Sequence, residues 1–332
     1  MKPVSILTAA SLAVGAITVS WFIWSHYRKR RGPHPAKEWI YIGQIGAINL
    51  FPIKSCAATN VDAAECNKDG LSFRNIRDRN LLVLDDDNKL GSAMTHPFML
   101  SIKTEILSEN QLTLSAPNMP SINVNLKQIL EGAEARGKSM GGYRLLLVEC
   151  RPEHHMWVSK VVLKRSNGLR LFISLDPGLE MKWWKIKKSD VYPVMAVHDK
   201  SITELNSRLP ESEQVDHLRF RGNLLVKSES CHQPFMEDDW AWMKIGKRSG
   251  KVDDTTILKF TEPCKRCAII NIDALTCKRN PNYEPLRTLK RFRTRSHPLE
   301  PEMGIYFDVY KTGKIFIGDP VYVQVKTKVD EL

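Results

Sequence analysis

The residues with the most chemical character in this sequence are the two cysteines of Pro263-Cys264-Lys265-Arg266-Cys267. Thiolates bind soft metals, exchange disulfides and attack electrophiles, so a pair at this spacing has several possible uses. A structural zinc site needs a second ligand pair, and only Cys277 and distant histidines are on offer. A thioredoxin-like disulfide belongs beside a βαβ unit, and none surrounds the segment. The plainest reading is two small buried side chains. The other is a single thiolate ligating a soft metal, with Lys265 and Arg266 beside it to favour the anion and to meet a phosphate.

Basic, hydroxyl and aromatic residues gather in further short segments. These are Leu50-Phe51-Pro52-Ile53-Lys54-Ser55-Cys56, Asn75-Ile76-Arg77-Asp78-Arg79, Ser189-Asp190-Val191-Tyr192-Pro193, Phe220-Arg221-Gly222-Asn223, Gly304-Ile305-Tyr306-Phe307 and Gly318-Asp319-Pro320-Val321-Tyr322. Taken singly, each basic side chain reads as an ordinary surface cation. Asp85-Asp86-Asp87-Asn88 invites a calcium loop, but Leu90 and His96 stand where glycine and glutamate are required, so the segment reads as a turn between strands. His154, His155 and His198 have no carboxylate or cysteine at ligand spacing and are assigned no role.

The elements that must position these residues are mainly strands. After Trp39 short alternating runs are separated by turn residues, as in Leu112-Thr113-Leu114, Ile122 to Leu126 and Val321 to Val325. Asn167-Gly168 between Val161-Val162-Leu163 and Leu169-Arg170-Leu171 is a hairpin signal. A helix starts at Ser201, where Ser201 and Glu204 make a capping-box pattern ahead of Ile202, Leu205 and Leu209.

Composition bounds the rest. The 332 residues, 42% hydrophobic and 26% charged, suffice for two folded domains and exclude a disordered chain. A formal charge of +12 favours acidic partners, with dense basic runs at 182–188 and at Lys290, Arg291, Arg293 and Arg295. No nucleic-acid-binding motif accompanies them. Seven irregularly spaced cysteines argue for reduced thiols in a cytosol-facing body. Pro3 to Trp24 is an uncharged stretch of about 22 residues, roughly 33 Å as a helix, enough to cross a bilayer. Arg28, Lys29, Arg30 and Arg31 follow it and place the body on the cytosolic side.

Taken in order, the segments resemble the MOSC family, named for the C-terminal domain of molybdenum-cofactor sulfurase, and with the apolar N-terminus they resemble its amidoxime-reducing branch. The resemblance runs from Trp39 to Val325. It implies an α+β, predominantly β fold: a transmembrane anchor over 1–27, a basic linker over 28–37, a MOSC N-terminal β-rich domain over 38–171 and a MOSC β-barrel-like domain over 172–328. It implies Cys267 as catalytic residue and molybdenum ligand, with Cys264 a nearby non-ligand. Lys54, Ser55, Arg79, Arg221, Asn223 and Arg266 match positions holding the phosphate and polar edge of molybdopterin, and Tyr306 matches a residue lining the site. Three positions depart from the pattern: Tyr192 replaces a small hydroxyl residue, Gly222 a proline and Met94 a basic side chain. The activity implied is molybdenum-dependent reduction of small N-hydroxylated compounds (amidoximes, hydroxylamines, N-oxides). The resemblance further implies electrons from NADH through cytochrome b5 reductase and cytochrome b5, at the outer mitochondrial membrane or, alternatively, the endoplasmic reticulum. The rival readings are a non-catalytic cofactor-binding or sulfur-handling MOSC protein, and a membrane-tethered adaptor without cofactor.

Overall fold

Seven strands close into a barrel in the computed structural model, which describes residues 34–132, 134–140, 143–175, 192–229, 232–246, 255–295 and 300–326. Around the barrel run Ile40–Leu50, Leu224–Ser228, Val194–His198, Glu302–Lys311, Thr256–Lys265, Trp240–Ile245 and Pro320–Val325. Ile40–Leu50 closes it by pairing antiparallel with both Leu224–Ser228 and Pro320–Val325. Its inward residues Ile42, Ile45 and Ile48 are completely buried, each contributing roughly 1.5–3 kcal/mol of apolar transfer. Two bulges bend this strand. At the first, Gly43 has φ 151°, and a Cβ there would lie 2.0 Å from the Lys227 carbonyl oxygen.

Three smaller sheets flank the barrel. Leu81–Asp85, Leu169–Ser174, Tyr143–Glu149 and Arg136–Met140 form one, Lys103–Ser108, Gln111–Ala116 and Met119–Asn125 a meander, and Gly313–Phe316 joins Ala63–Asn67, Gly70–Phe73 and Ile76–Arg77. Strands from both ends of the sequence thus share sheets, and one apolar core runs from Ile42 through Leu171 to Val323. The predominantly β architecture agrees with the alternating pattern, as do the strands at 111–116, 119–125 and 320–325. The Asp85 segment is a turn: Asn88, at φ 59°, donates to the Asp85 carbonyl.

Two local expectations are corrected. Pro152–Leu163 is a helix, so Asn167-Gly168 joins helix to strand and makes no hairpin. Trp157, Val158, Val161 and Val162 are its buried residues, at helical spacing, and the Ser159 hydroxyl both accepts from Leu169 N and donates to Leu169 O, at 3.0 Å each. Tertiary packing here outweighs the strand preference of valine. The second helix spans Asp199–Ser207, and Ser201 lies inside it, donating to Glu237 and accepting from Phe235 N rather than capping. Glu204 instead accepts from Arg208 at 2.9 Å.

The stretch read as membrane-spanning lies outside the described residues, as does the basic run at 182–188. Among the described residues no helix is long and apolar enough to cross a membrane.

Candidate functional site

Lys54 and Ser55 follow the barrel strand Ile40–Leu50, Arg79 follows the short strand Ile76–Arg77, and Arg221 ends the single-turn helix His217–Phe220. Cys267 lies just beyond the strand Thr256–Lys265 and immediately before the turn Ala268–Asn271. Ser55, Arg79 and Arg221 adopt left-handed φ values of 67°, 53° and 54°. Side chains with a Cβ avoid this region at a cost of about 1–3 kcal/mol, and such strain gathers where chemistry fixes the backbone.

Phe51 and Asp78 organise this cluster. The Phe51 ring contacts two guanidinium groups, with Arg221 at 4.3 Å and Arg79 at 5.5 Å from its centroid. Asp78 accepts a 2.6 Å hydrogen bond from Phe51 N and forms an ion pair with Arg79. Arg221 Nη1 donates to the Cys56 carbonyl at 2.8 Å.

Lys54 is buried, and its pKa falls to about 7. Burial is the main cause, repulsion from Arg79 and Arg221 comes next, and the nearby Cys267 sulfur opposes them. Arg221 is likewise pulled down to about 10, first by burial and then by Arg79. Lys54, Arg79 and Arg221 thus gather three basic side chains at one pole, the complement of an anion.

The thiols divide cleanly. Cys267 is exposed, whereas Cys56, Cys66, Cys150, Cys264 and Cys277 are buried. Burial raises the pKa of Cys56 to about 12 and that of Cys264 likewise upward, so neither is poised to ionise. The Tyr306 hydroxyl donates to the Cys264 sulfur. Its ring meets that of Tyr192 at 5.3 Å, and Tyr192, hydrogen-bonded to Glu262, is pushed up to about 12, mainly by burial. Among the described residues no group of three or more His, Cys, Asp or Glu side chains gathers to hold a metal ion.

Arg266 and Asn223 face inward. Arg266 donates from Nε and Nη2 to the Met303 carbonyl at 2.8 and 2.6 Å and from Nη1 to the Phe220 carbonyl at 2.7 Å. These bonds tie the segment preceding Cys267 to the turn that carries Arg221. Asn223 accepts from Met195 N at 3.1 Å and donates to Asn49 O at 3.3 Å, joining adjacent barrel strands. At Gly222 a Cβ would come within 2.8 Å of Val197 Cγ2. Met94 contributes its carbonyl to Arg279.

Beside the cluster opens a cavity of about 940 Å³, bordered by Phe51 and Arg221 at one end and by Ile269, two residues past Cys267. The structure therefore brings Lys54, Arg79, Arg221 and Cys267 into one electrostatic neighbourhood, with Ser55 next to Lys54. Cys264 and Tyr306 lie behind it, and Arg266 and Asn223 lie in the framework. Sequence reasoning assigned no part to Phe51, Asp78 or the Arg219–Asp273 ion pair at 2.9 Å. An acid enclosed by Arg77 and Arg79 was the one available signal for Asp78.

The chain matches the MOSC N-terminal beta barrel domain over residues 42–165 and the MOSC domain over residues 185–322, and it belongs to the MOSC-domain family. Within the curated proteins it is similar to mitochondrial amidoxime reducing component 2 of Macaca fascicularis, 27% identical over 97% of this chain and 93% of that protein. Mitochondrial amidoxime-reducing component 1 of Xenopus laevis is 28% identical over 96% of this chain and 91% of its own length. Of solved structures, the YuaD protein of Bacillus subtilis is 10% identical with a TM-score of 0.39, covering 87% of this chain and all of that one.

Proposed function

We propose that the chain is a molybdenum-cofactor reductase acting on N-hydroxylated compounds, with Cys267 as the protein's ligand to the metal. The observation that carries this reading is an exposed thiol set among Lys54, Arg79 and Arg221. The residues present fit molybdopterin on chemical grounds. A soft thiolate suits the metal, and the gathered basic side chains of Lys54, Arg79 and Arg221 suit the pterin's phosphate. When bound, the group would supply the two-electron chemistry that no side chain can perform.

The chain's own residues do the remaining work. Lys54, Ser55, Arg79 and Arg221 would hold the anionic end of the cofactor, and the left-handed backbone at Ser55, Arg79 and Arg221 fixes donors before binding. Phe51 stacks both guanidinium groups in place, and Asp78 keeps Arg79 from turning to solvent. Arg266 and Asn223 act as positioning residues, since their hydrogen-bonding atoms are engaged with backbone carbonyls and amides. Tyr306 and Cys264 pack behind Cys267 as a buried, uncharged wall.

Electron supply from NADH through cytochrome b5 reductase and cytochrome b5 accords with the +12 charge, which steers an acidic haem protein toward the chain. The setting proposed is the outer mitochondrial membrane, with the body facing the cytosol.

The test is molybdenum and pterin analysis of the full chain from a cofactor-competent host, together with benzamidoxime reduction through the complete electron chain. Wild type should carry one molybdenum per chain and turn over. Cys267→Ser should lose activity, and Cys264→Ser should keep most of it. Metal-free wild type, or full activity in Cys267→Ser, would overturn the proposal.

A further inference from the structure

The cavity beside Arg221 is far larger than an N-hydroxyl head group needs, and its walls are of two kinds. Val61, Ile106, Val215, Ile269 and Ile272 give it apolar sides. Its charged residues are unevenly placed. Arg221 belongs to the cationic pole with Lys54 and Arg79, and Arg219 is neutralised by Asp273 at 2.9 Å. What remains along the lining is Asp62, Glu105 and Asp216 against Lys103, an excess of two negative charges. The lining thus joins one guanidinium of the cationic pole to an acidic excess among its other charged residues.

We infer that this cleft is the subsite for the carbon skeleton of the substrate, and that it selects flat apolar nitrogen bases, the cationic product included. The inference rests on the proposed reductase reading. Removal of the oxygen from an amidoxime takes two electrons and two protons, the electrons coming from the reduced haem protein, and releases water and an amidine. The amidine takes up a further proton at neutral pH and becomes an amidinium cation. Apolar walls receive the ring, while the carboxylates of Asp62, Glu105 and Asp216 attract the cation. A carboxylate of the same shape is repelled by those three residues, and a neutral amide gains only the apolar contact.

The experiment measures binding of benzamidine, benzamide and benzoate to the full chain by calorimetry or ligand-observed NMR, in phosphate buffer so that Lys54, Arg79 and Arg221 are already occupied by an anion. Benzamidine should bind tightest and benzoate weakest. Asp62→Asn with Glu105→Gln should reduce the preference for benzamidine over benzamide about threefold to tenfold, as two exposed charges allow. Ala58→Trp, which fills the cavity from a lining position outside the cationic pole, should abolish binding of all three. Benzoate binding as tightly as benzamidine would overturn the inference. So would full benzamidine affinity in Ala58→Trp, or an unchanged preference in the double variant. Selective benzamidine binding by a chain inert toward benzamidoxime would support the subsite and defeat the reductase reading. An active enzyme without selectivity would defeat the subsite alone.

Discussion

Lys54 should take up a proton when the cationic pole receives a dianion. In the free protein its pKa is about 7, so at pH 8 about one tenth of the chains carry the charge. Burial disfavours that charge, and Arg79 and Arg221 repel it. A bound dianion reverses the repulsion and draws the pKa back toward the ordinary 10.5. Binding at pH 8 should therefore consume about 0.9 proton per site, and binding at pH 6 about 0.1. Affinity should fall about tenfold from pH 8 to pH 9, because the bound state holds one more proton than the free state. The assay is calorimetric titration of the cofactor-free chain with sulfate, a dianion that carries no proton in this range, in buffers of different ionisation enthalpy. Lys54→Met should remove both the uptake and the pH dependence. The sign for stability follows from the same shift. Between pH 7 and 10.5 the unfolded chain binds this proton and the folded chain does not, so stability rises with pH across that window. The depression from 10.5 to about 7 corresponds to a loss on the order of 5 kcal/mol on acidification, which Lys54→Met should relieve. Saturable sulfate binding without proton uptake at pH 8, or the same uptake in Lys54→Met, would refute this account of the pole.

Three further outcomes are expected. Asp238, buried and held by Arg293 at 2.8 and 2.9 Å and by Arg295, should cost about 3–5 kcal/mol in urea unfolding when changed to Ala, since an unpaired buried guanidinium remains. Gly222→Ala should destabilise by about 1–3 kcal/mol, because the new methyl meets Val197 Cγ2 at 2.8 Å; an unchanged unfolding midpoint would show that the strands separate freely there. Cytochrome-supported turnover should fall as salt rises from low to physiological ionic strength, through the rate of encounter, whereas an ionic-strength-independent rate would remove charge steering from the scheme.

Much of the fold could be read from alternation. Val321 and Val323 are buried as period two requires, and Leu112 and Leu114 likewise. Pro152–Leu163 was hidden because Val158, Val161 and Val162 favour strands locally, and its packing against Leu169–Ser174, Pro97–Ser101 and Met119–Asn125 makes the helix the better state. At the site, the motif order brings forward Lys54, Arg79, Arg221 and Cys267, and the structure groups them. The inward bonds of Asn223 could not be foreseen, since its partner Asn49 lies 174 residues away. The same holds for Arg266, whose acceptors are main-chain carbonyls that carry no mark in a sequence. Phe51 was hidden for another reason: an aromatic next to a proline reads as core until two arginines converge on it from remote turns.

Because Ile40–Leu50 is clasped between Leu224–Ser228 and Pro320–Val325, the ring of strands stays open until Pro320–Val325 has been made. A nascent chain that has already exposed Lys54, Arg79 and Cys267 still lacks the strand that locks their scaffold. A stop just before Pro320 would leave both neighbours of the gap, Ile40–Leu50 and Trp240–Ile245, open to pair with another molecule.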